Sequence, residues 1–181
     1  MRRSELEHII RAASEITKEN EFIIVGSQSL LGEKPDAPRS LRMSIELDIY
    51  PKRNPRLADF IDGNIGELTA FHQQFGYYAH GVGPETAILP DGWEQRLVAV
   101  QNENTNRAVG WCISIHDLAY SKLAAGREKD LEFVAEMRRR GMLRVAALDK
   151  LLASAPEEKR SLMQMRWQRI QNEVSLKKGL A

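Results

Sequence analysis

Glu46 and Asp48 stand two residues apart in Ser44-Ile-Glu46-Leu-Asp48-Ile-Tyr50-Pro51, whose alternation of polar and apolar residues predicts a strand. Side chains at i and i+2 of a strand share a face, so the two carboxylates project together while Ile45, Leu47 and Ile49 point the other way. Carboxylates so placed repel unless a cation lies between them. Mg²⁺ or Mn²⁺ suits such a pair, since hard cations take one or two carboxylates together with substrate phosphates and water. The same alternation also fits a half-exposed strand whose acids are merely solvated.

Upstream, residues 22–25 read as a buried strand that runs into Gly26-Ser27-Gln28-Ser29-Leu30-Leu31-Gly32, a glycine-serine turn opening a short helix that Gly32 stops. Gly26 lets the backbone approach a ligand, Ser27 offers a hydroxyl, and N–H groups at a helix start can face a phosphate. Anion seat and metal seat together suit nucleoside triphosphate chemistry. The loop over residues 33–41 holds two prolines, which exclude a helix or a central strand. Arg39 and Arg42 flank the acidic strand, where each can touch a triphosphate or simply be solvated.

A second chemistry-bearing stretch is Asp117-Leu-Ala-Tyr-Ser-Lys122-Leu-Ala-Ala-Gly-Arg127-Glu-Lys-Asp130. Lys122 and Arg127 can hold phosphates, one as a point charge and the other as a bidentate fork. Alternatively, Asp130 pairs with Arg127 one helical turn back and stiffens the helix. Gly26-Ser27 followed by Glu46-x-Asp48, and then by this helix, resembles the nucleotidyltransferase superfamily that includes DNA polymerase beta-like enzymes. Within it the chain looks most like small bacterial AbiEii-type and related uncharacterised members. The pair begins with Glu where the family pattern begins with Asp. The 19 positions from Ser27 to Glu46 exceed the usual spacing, and the surplus falls in residues 33–40.

The resemblance implies an α+β fold: a small mixed β-sheet flanked by helices, with a helical C-terminal region. It implies a core over residues 1–116 and helices over 117–181. It also implies transfer of a nucleotide to a hydroxyl acceptor such as a tRNA end, a protein side chain or a small molecule, in a chain that can be the toxin half of a toxin-antitoxin or phage-defence pair. Glu46 and Asp48 would hold the metal, Gly26, Ser27, Arg42 and Arg127 the nucleotide, and Lys122 would act in catalysis. A third carboxylate usually lies on a later strand, and Glu85, Asp91 and Glu94 all qualify by order.

The positioning elements can be read in order. Ser4-Glu-Leu-Glu7 has the form of a capping box, and Leu6, Ile9, Ile10, Ala13 and Ile16 give a helix to about residue 19, with His8 on its solvated side. Asn54-Pro55 opens a helix carried by Leu57, Phe60, Ile61, Ile65, Leu68 and Phe71 to about residue 74. Strands are expected over 86–89, 96–100 and 110–115, and a capped helix after Ser114. Three helical pieces follow, broken at Gly141 and at Ala155-Pro156. Trp167 lies at helical spacing with Leu162, Met163 and Ile170, which makes it a packing anchor or a platform for a base.

The chain of 181 residues is long enough for a self-sufficient core. Its single cysteine, Cys112, sits in an apolar stretch and excludes a disulfide scaffold or a cysteine-based zinc site. No run approaches a membrane span and the start lacks the apolar core of a signal peptide, so the expected location is cytoplasmic with no membrane partner. Residues 138–181 carry 11 Lys and Arg against 4 Asp and Glu, which suits a nucleic acid, an acidic partner or a solvated face. The alternative to the enzyme is an inactive nucleotidyltransferase-like module that binds a protein or nucleic acid. A metal-dependent nuclease fits less well, because no Glu-x-Lys follows the acids on their strand.

Overall fold

A computed structural model describes residues 1–178. The end of the expected 117–181 region therefore lies outside the described residues. The fold is mixed α+β, in two compact units: Met1–Ala87 with Glu94–Ser114, and Ile88–Trp93 with the chain from Ile115 onward. The first unit carries a five-stranded sheet and the second is helical.

In the sheet unit, β1 (Glu21–Ile24), β2 (Glu46–Pro51), β3 (Tyr78–Gly81), β4 (Val98–Val100) and β5 (Val109–Cys112) lie in the order β3-β2-β1-β5-β4. β1 pairs antiparallel with β2 and parallel with β5, and β2 pairs parallel with β3. Alternation sorts the side chains as expected. Phe22, Ile24, Leu47 and Ile49 join the stripe Leu6, Ile9, Ile10 and Ala13 of α1 (Arg3–Thr17) in one core. Gly110 lets α1 approach β5, since a Cβ there would lie 2.4 Å from Cδ1 of Ile10.

Several expectations change here. α1 starts before Ser4, and the Arg2 N–H donates to Glu5 Oε2 at 2.6 Å. Glu7 is instead a buried acceptor for Arg3 Nε, Asn102 Nδ2 and Asn104 Nδ2. His8 is half-buried rather than solvated, with Nδ1 2.7 Å from the Tyr77 hydroxyl and the rings of Phe71 and Phe75 against it. The long helix expected to residue 74 is two helices, α2 (Ala58–Ile65) and α3 (Ala70–Phe75), separated where Gly66 closes on Asp62 O and Leu68 adopts φ +63°. No strand forms over 86–89. Residues 84–86 make a 3₁₀ turn, and Pro84 and Pro90, which lack N–H donors, bracket the segment. The strand that sequence reasoning missed is β3, which begins two residues after the left-handed Gly76 (φ +75°).

The helical unit holds α4 (Ile115–Ala125), α5 (Glu128–Arg139), α6 (Val145–Ala153) and α7 (Glu157–Lys178). Gly126 (φ +68°) ends α4, and the Arg166 guanidinium lies over it, donating to the Leu123 carbonyl at 2.6 Å. α6 and α7 separate at Ala155-Pro156, as the sequence indicated. Among the described residues no helix is long and apolar enough to cross a membrane.

Candidate active site

β2 positions the acids. Leu47 and Ile49 are buried against the helices, so Glu46 and Asp48 must occupy the opposite face of the same strand. Because β1 runs antiparallel to β2, its C-terminal end comes level with this pair, and the Val25 N–H donates to the Asp48 carbonyl at 3.0 Å. Gly26 follows at φ +67° and ψ −171°, backbone that essentially only glycine adopts. A Cβ on Gly26 would lie 2.0 Å from Asp48 Oδ2. The glycine-serine turn and the acidic strand, twenty residues apart in the chain, therefore meet at one carboxylate.

The neighbouring strand completes the surroundings. In the parallel register Tyr78 lies opposite Glu46 and His80 opposite Asp48, on the same face. The Tyr78 hydroxyl donates to Glu46 Oε2 at 3.1 Å, and His80 Nδ1 lies 2.9 Å from Asp48 Oδ1. Burial, and then the adjacent Glu46 carboxylate, push the Tyr78 hydroxyl up to about 12, so it keeps its proton and donates. Tyr50, two residues beyond Asp48, is likewise raised to about 12, by burial first and then by the Glu94 and Glu85 carboxylates. Glu85 and Glu94 sit on the 3₁₀ turns Pro84–Thr86 and Trp93–Arg96, and Asp91 belongs to a segment of the helical unit. Among the described residues no group of three or more His, Cys, Asp or Glu side chains could hold a metal ion, so no third carboxylate is assembled.

The turn after Gly26 is a 3₁₀ helix of six residues, Ser27–Gly32, in which Ser29 Oγ donates back to the Gly26 carbonyl at 2.8 Å. Gln28 in this turn is buried, and neither amide atom has a hydrogen-bond partner among the described residues. Arg42 stands just before β2 and half-buried, its Nε enclosed and likewise without a partner there. The donor set suits Mg²⁺ or Mn²⁺, since two carboxylates from one strand beside a glycine backbone leave the remaining positions to phosphates and water.

Residues 4–175 match DUF6036, described as a nucleotidyltransferase of unknown function. The chain belongs to this family. No curated protein and no solved structure matches it. The DUF6036 match carries no AbiEii-type assignment.

The other residues singled out in this DUF6036 chain lie in the helical unit. Lys122 on α4 is 8% exposed, and its Nζ lies 2.8 Å from Asp130 Oδ1 and 4.6 Å from the Phe133 ring centre. Arg127, just ahead of α5, donates to Asp130 Oδ2 at 2.6 Å, the three-residue pairing that the sequence offered as the alternative. Lys122 and Asp130 thus sit on different helices, and their pair ties α4 to α5. Burial alone would raise the Asp130 carboxyl, but hydrogen bonds from Arg127 and Lys122 and their charges outweigh it and hold it below the usual carboxylate range. Trp167 is buried and donates Nε1 to Asp149 Oδ1 at 2.8 Å, the packing-anchor alternative.

Sequence reasoning missed Tyr78 and His80. The signal was present: Tyr78-Ala-His80 repeats the i, i+2 spacing of Glu46-Leu-Asp48, and Gly76 just ahead of it is a natural break.

Proposed function

We propose that this DUF6036 protein transfers a nucleotide from a nucleoside triphosphate to a hydroxyl acceptor in the cytoplasm, using a divalent metal held by Glu46 and Asp48. The observation that carries this reading is the approach of Gly26 to Asp48 Oδ2, where any side chain at residue 26 would collide. Glu46 and Asp48 would hold Mg²⁺ or Mn²⁺, which when bound neutralises charge on the phosphates. The Asp48 carboxylate fills the space that a Cβ on Gly26 would take, so what the turn offers a phosphate is the Gly26 backbone and the Ser27 hydroxyl. Arg42 stands at the entry to β2 with a guanidinium suited to a phosphate oxygen. Lys122 and Arg127 enter only if they exchange Asp130 for phosphate. The acceptor hydroxyl fits a tRNA end or a protein side chain, in keeping with a toxin opposed by an antitoxin.

A second reading, an inactive module that binds a protein or nucleic-acid partner, draws on Glu46 in the place of Asp and on the unassembled third carboxylate. Calorimetric titration with each of the four ribonucleoside triphosphates, with and without Mg²⁺, separates the two. Mg²⁺-dependent binding that disappears in the Glu46→Ala/Asp48→Ala double variant supports the enzyme, and a labelled triphosphate then reports the acceptor. No binding to any triphosphate leaves the module.

A further inference from the structure

β3 carries a donor for each acid. The parallel register sets Tyr78 against Glu46 and His80 against Asp48, and each donor engages one carboxylate oxygen, Oε2 in the first case and Oδ1 in the second. An ionised carboxylate only accepts hydrogen bonds, so the His80 contact requires the proton on Nδ1. The His80 side chain is 51% exposed, yet it keeps this contact at 2.9 Å instead of turning to solvent. The other Asp48 oxygen, Oδ2, is the one beside Gly26.

The chemical type of these donors matters as much as their placement. Asp130, whose negative charge the fold absorbs, is met by two cations, Lys122 and Arg127. From β3, Glu46 meets a phenol and Asp48 an imidazole. Such hydrogen bonds fix a carboxylate's rotamer, as the outer hydrogen bonds around metal ligands do.

We infer that Tyr78 and His80 are positioning residues that orient Glu46 and Asp48 toward a divalent metal ion, His80 acting as a hydrogen-bond donor to Asp48 and not as a ligand. This rests on the metal-holding role proposed above. The experiment is Mn²⁺ titration of the full chain at pH 8, with free Mn²⁺ read by electron paramagnetic resonance and the melting temperature of each metal-free variant measured alongside.

Tyr78→Phe and His80→Leu should each weaken Mn²⁺ binding about 10–100-fold. His80→Asn, whose amide N–H can stand where Nδ1–H stood, should restore it to within about threefold of the parent. Unchanged affinity in Tyr78→Phe and His80→Leu, with binding still lost in Glu46→Gln, overturns this inference and leaves the metal-holding role intact. Equal loss in His80→Asn and His80→Leu also overturns it, because His80 would then be a ligand itself. A shift in metal-free melting temperature without a change in affinity would mean that the pair merely stabilises the sheet edge. A parent protein whose Mn²⁺ binding is indifferent to Glu46→Gln and Asp48→Asn overturns the metal-holding role and this inference with it.

Discussion

Replacing Lys122 by Met tests whether this cation belongs to the fold or to the chemistry. Asp130 is 1% exposed and takes Lys122 Nζ at 2.8 Å and Arg127 Nε at 2.6 Å. Removing one partner of a buried ion pair costs about 3–5 kcal/mol, because the other charge stays buried and uncompensated. Here Arg127 remains, but its side chain is 65% exposed and water weakens its attraction, so it recovers only part of the loss. Methionine keeps much of the volume and a favourable contact with Phe133. The expected destabilisation is therefore about 2–3 kcal/mol, or a fall in Tm of about 4–12 °C for a chain of this size. Chemical denaturation followed by circular dichroism measures it. The double variant Lys122→Met/Asp130→Leu should regain most of the loss, since an apolar pair replaces a buried ionic one and Arg127 can turn to water. A single variant within about 0.5 kcal/mol of the parent, or a double variant no better than the single, refutes the structural account. Loss of triphosphate binding at unchanged stability would instead assign Lys122 to phosphate.

Other expectations concern the site, the acid limb and the cysteine. Gly26→Ala should cost about 1–3 kcal/mol, because residue 26 sits in glycine-only backbone, and should abolish metal-dependent triphosphate binding by displacing Asp48; calorimetry on the folded variant checks this. Asp130 and Glu7 both titrate below their ordinary values in the folded chain; at each, burial pulls upward and is outweighed, by Arg127 and Lys122 at one and by Asn104, Asn102 and Arg3 at the other. Their stabilisation is thus complete above the unfolded-state values, near pH 4, and lost as pH falls through the folded ones. The urea midpoint should hold from about pH 7 to 5 and drop below about pH 4, less steeply in Asp130→Asn. Cys112 is fully buried and burial pushes its thiol up to about 12, so it should resist a disulfide reagent until denaturant is added; reaction in the native protein would contradict its place in the core.

What the sequence revealed was whatever local pattern controls. Alternation placed Glu46 and Asp48 on one face and Leu47 and Ile49 on the other, and helices separate at Gly141 and at Ala155-Pro156, where the backbone demands it. What it hid depended on pairing. β3 is four residues long, and only its register against β2 makes Tyr78 and His80 part of the site. His8 looked solvated on its own helix because the rings that cover it, Phe71, Phe75 and Tyr77, arrive from more than sixty residues away. Asp130 was legible as a partner of Arg127 at i+3 but not of Lys122, which reaches it across the break between α4 and α5.

The middle strand of the sheet has a consequence during synthesis. β1 takes β2 on one side, but its other side waits for β5, where Glu21 meets Val109. A ribosome adds roughly 5–20 residues per second, so for several seconds the nascent chain carries Phe22, Ile23 and Ile24 on a strand with one open flank. Such late closure slows folding and invites pairing with other chains. Residues 1–108 alone would keep that flank open, so this fragment should aggregate faster than residues 1–114, in which β5 is present.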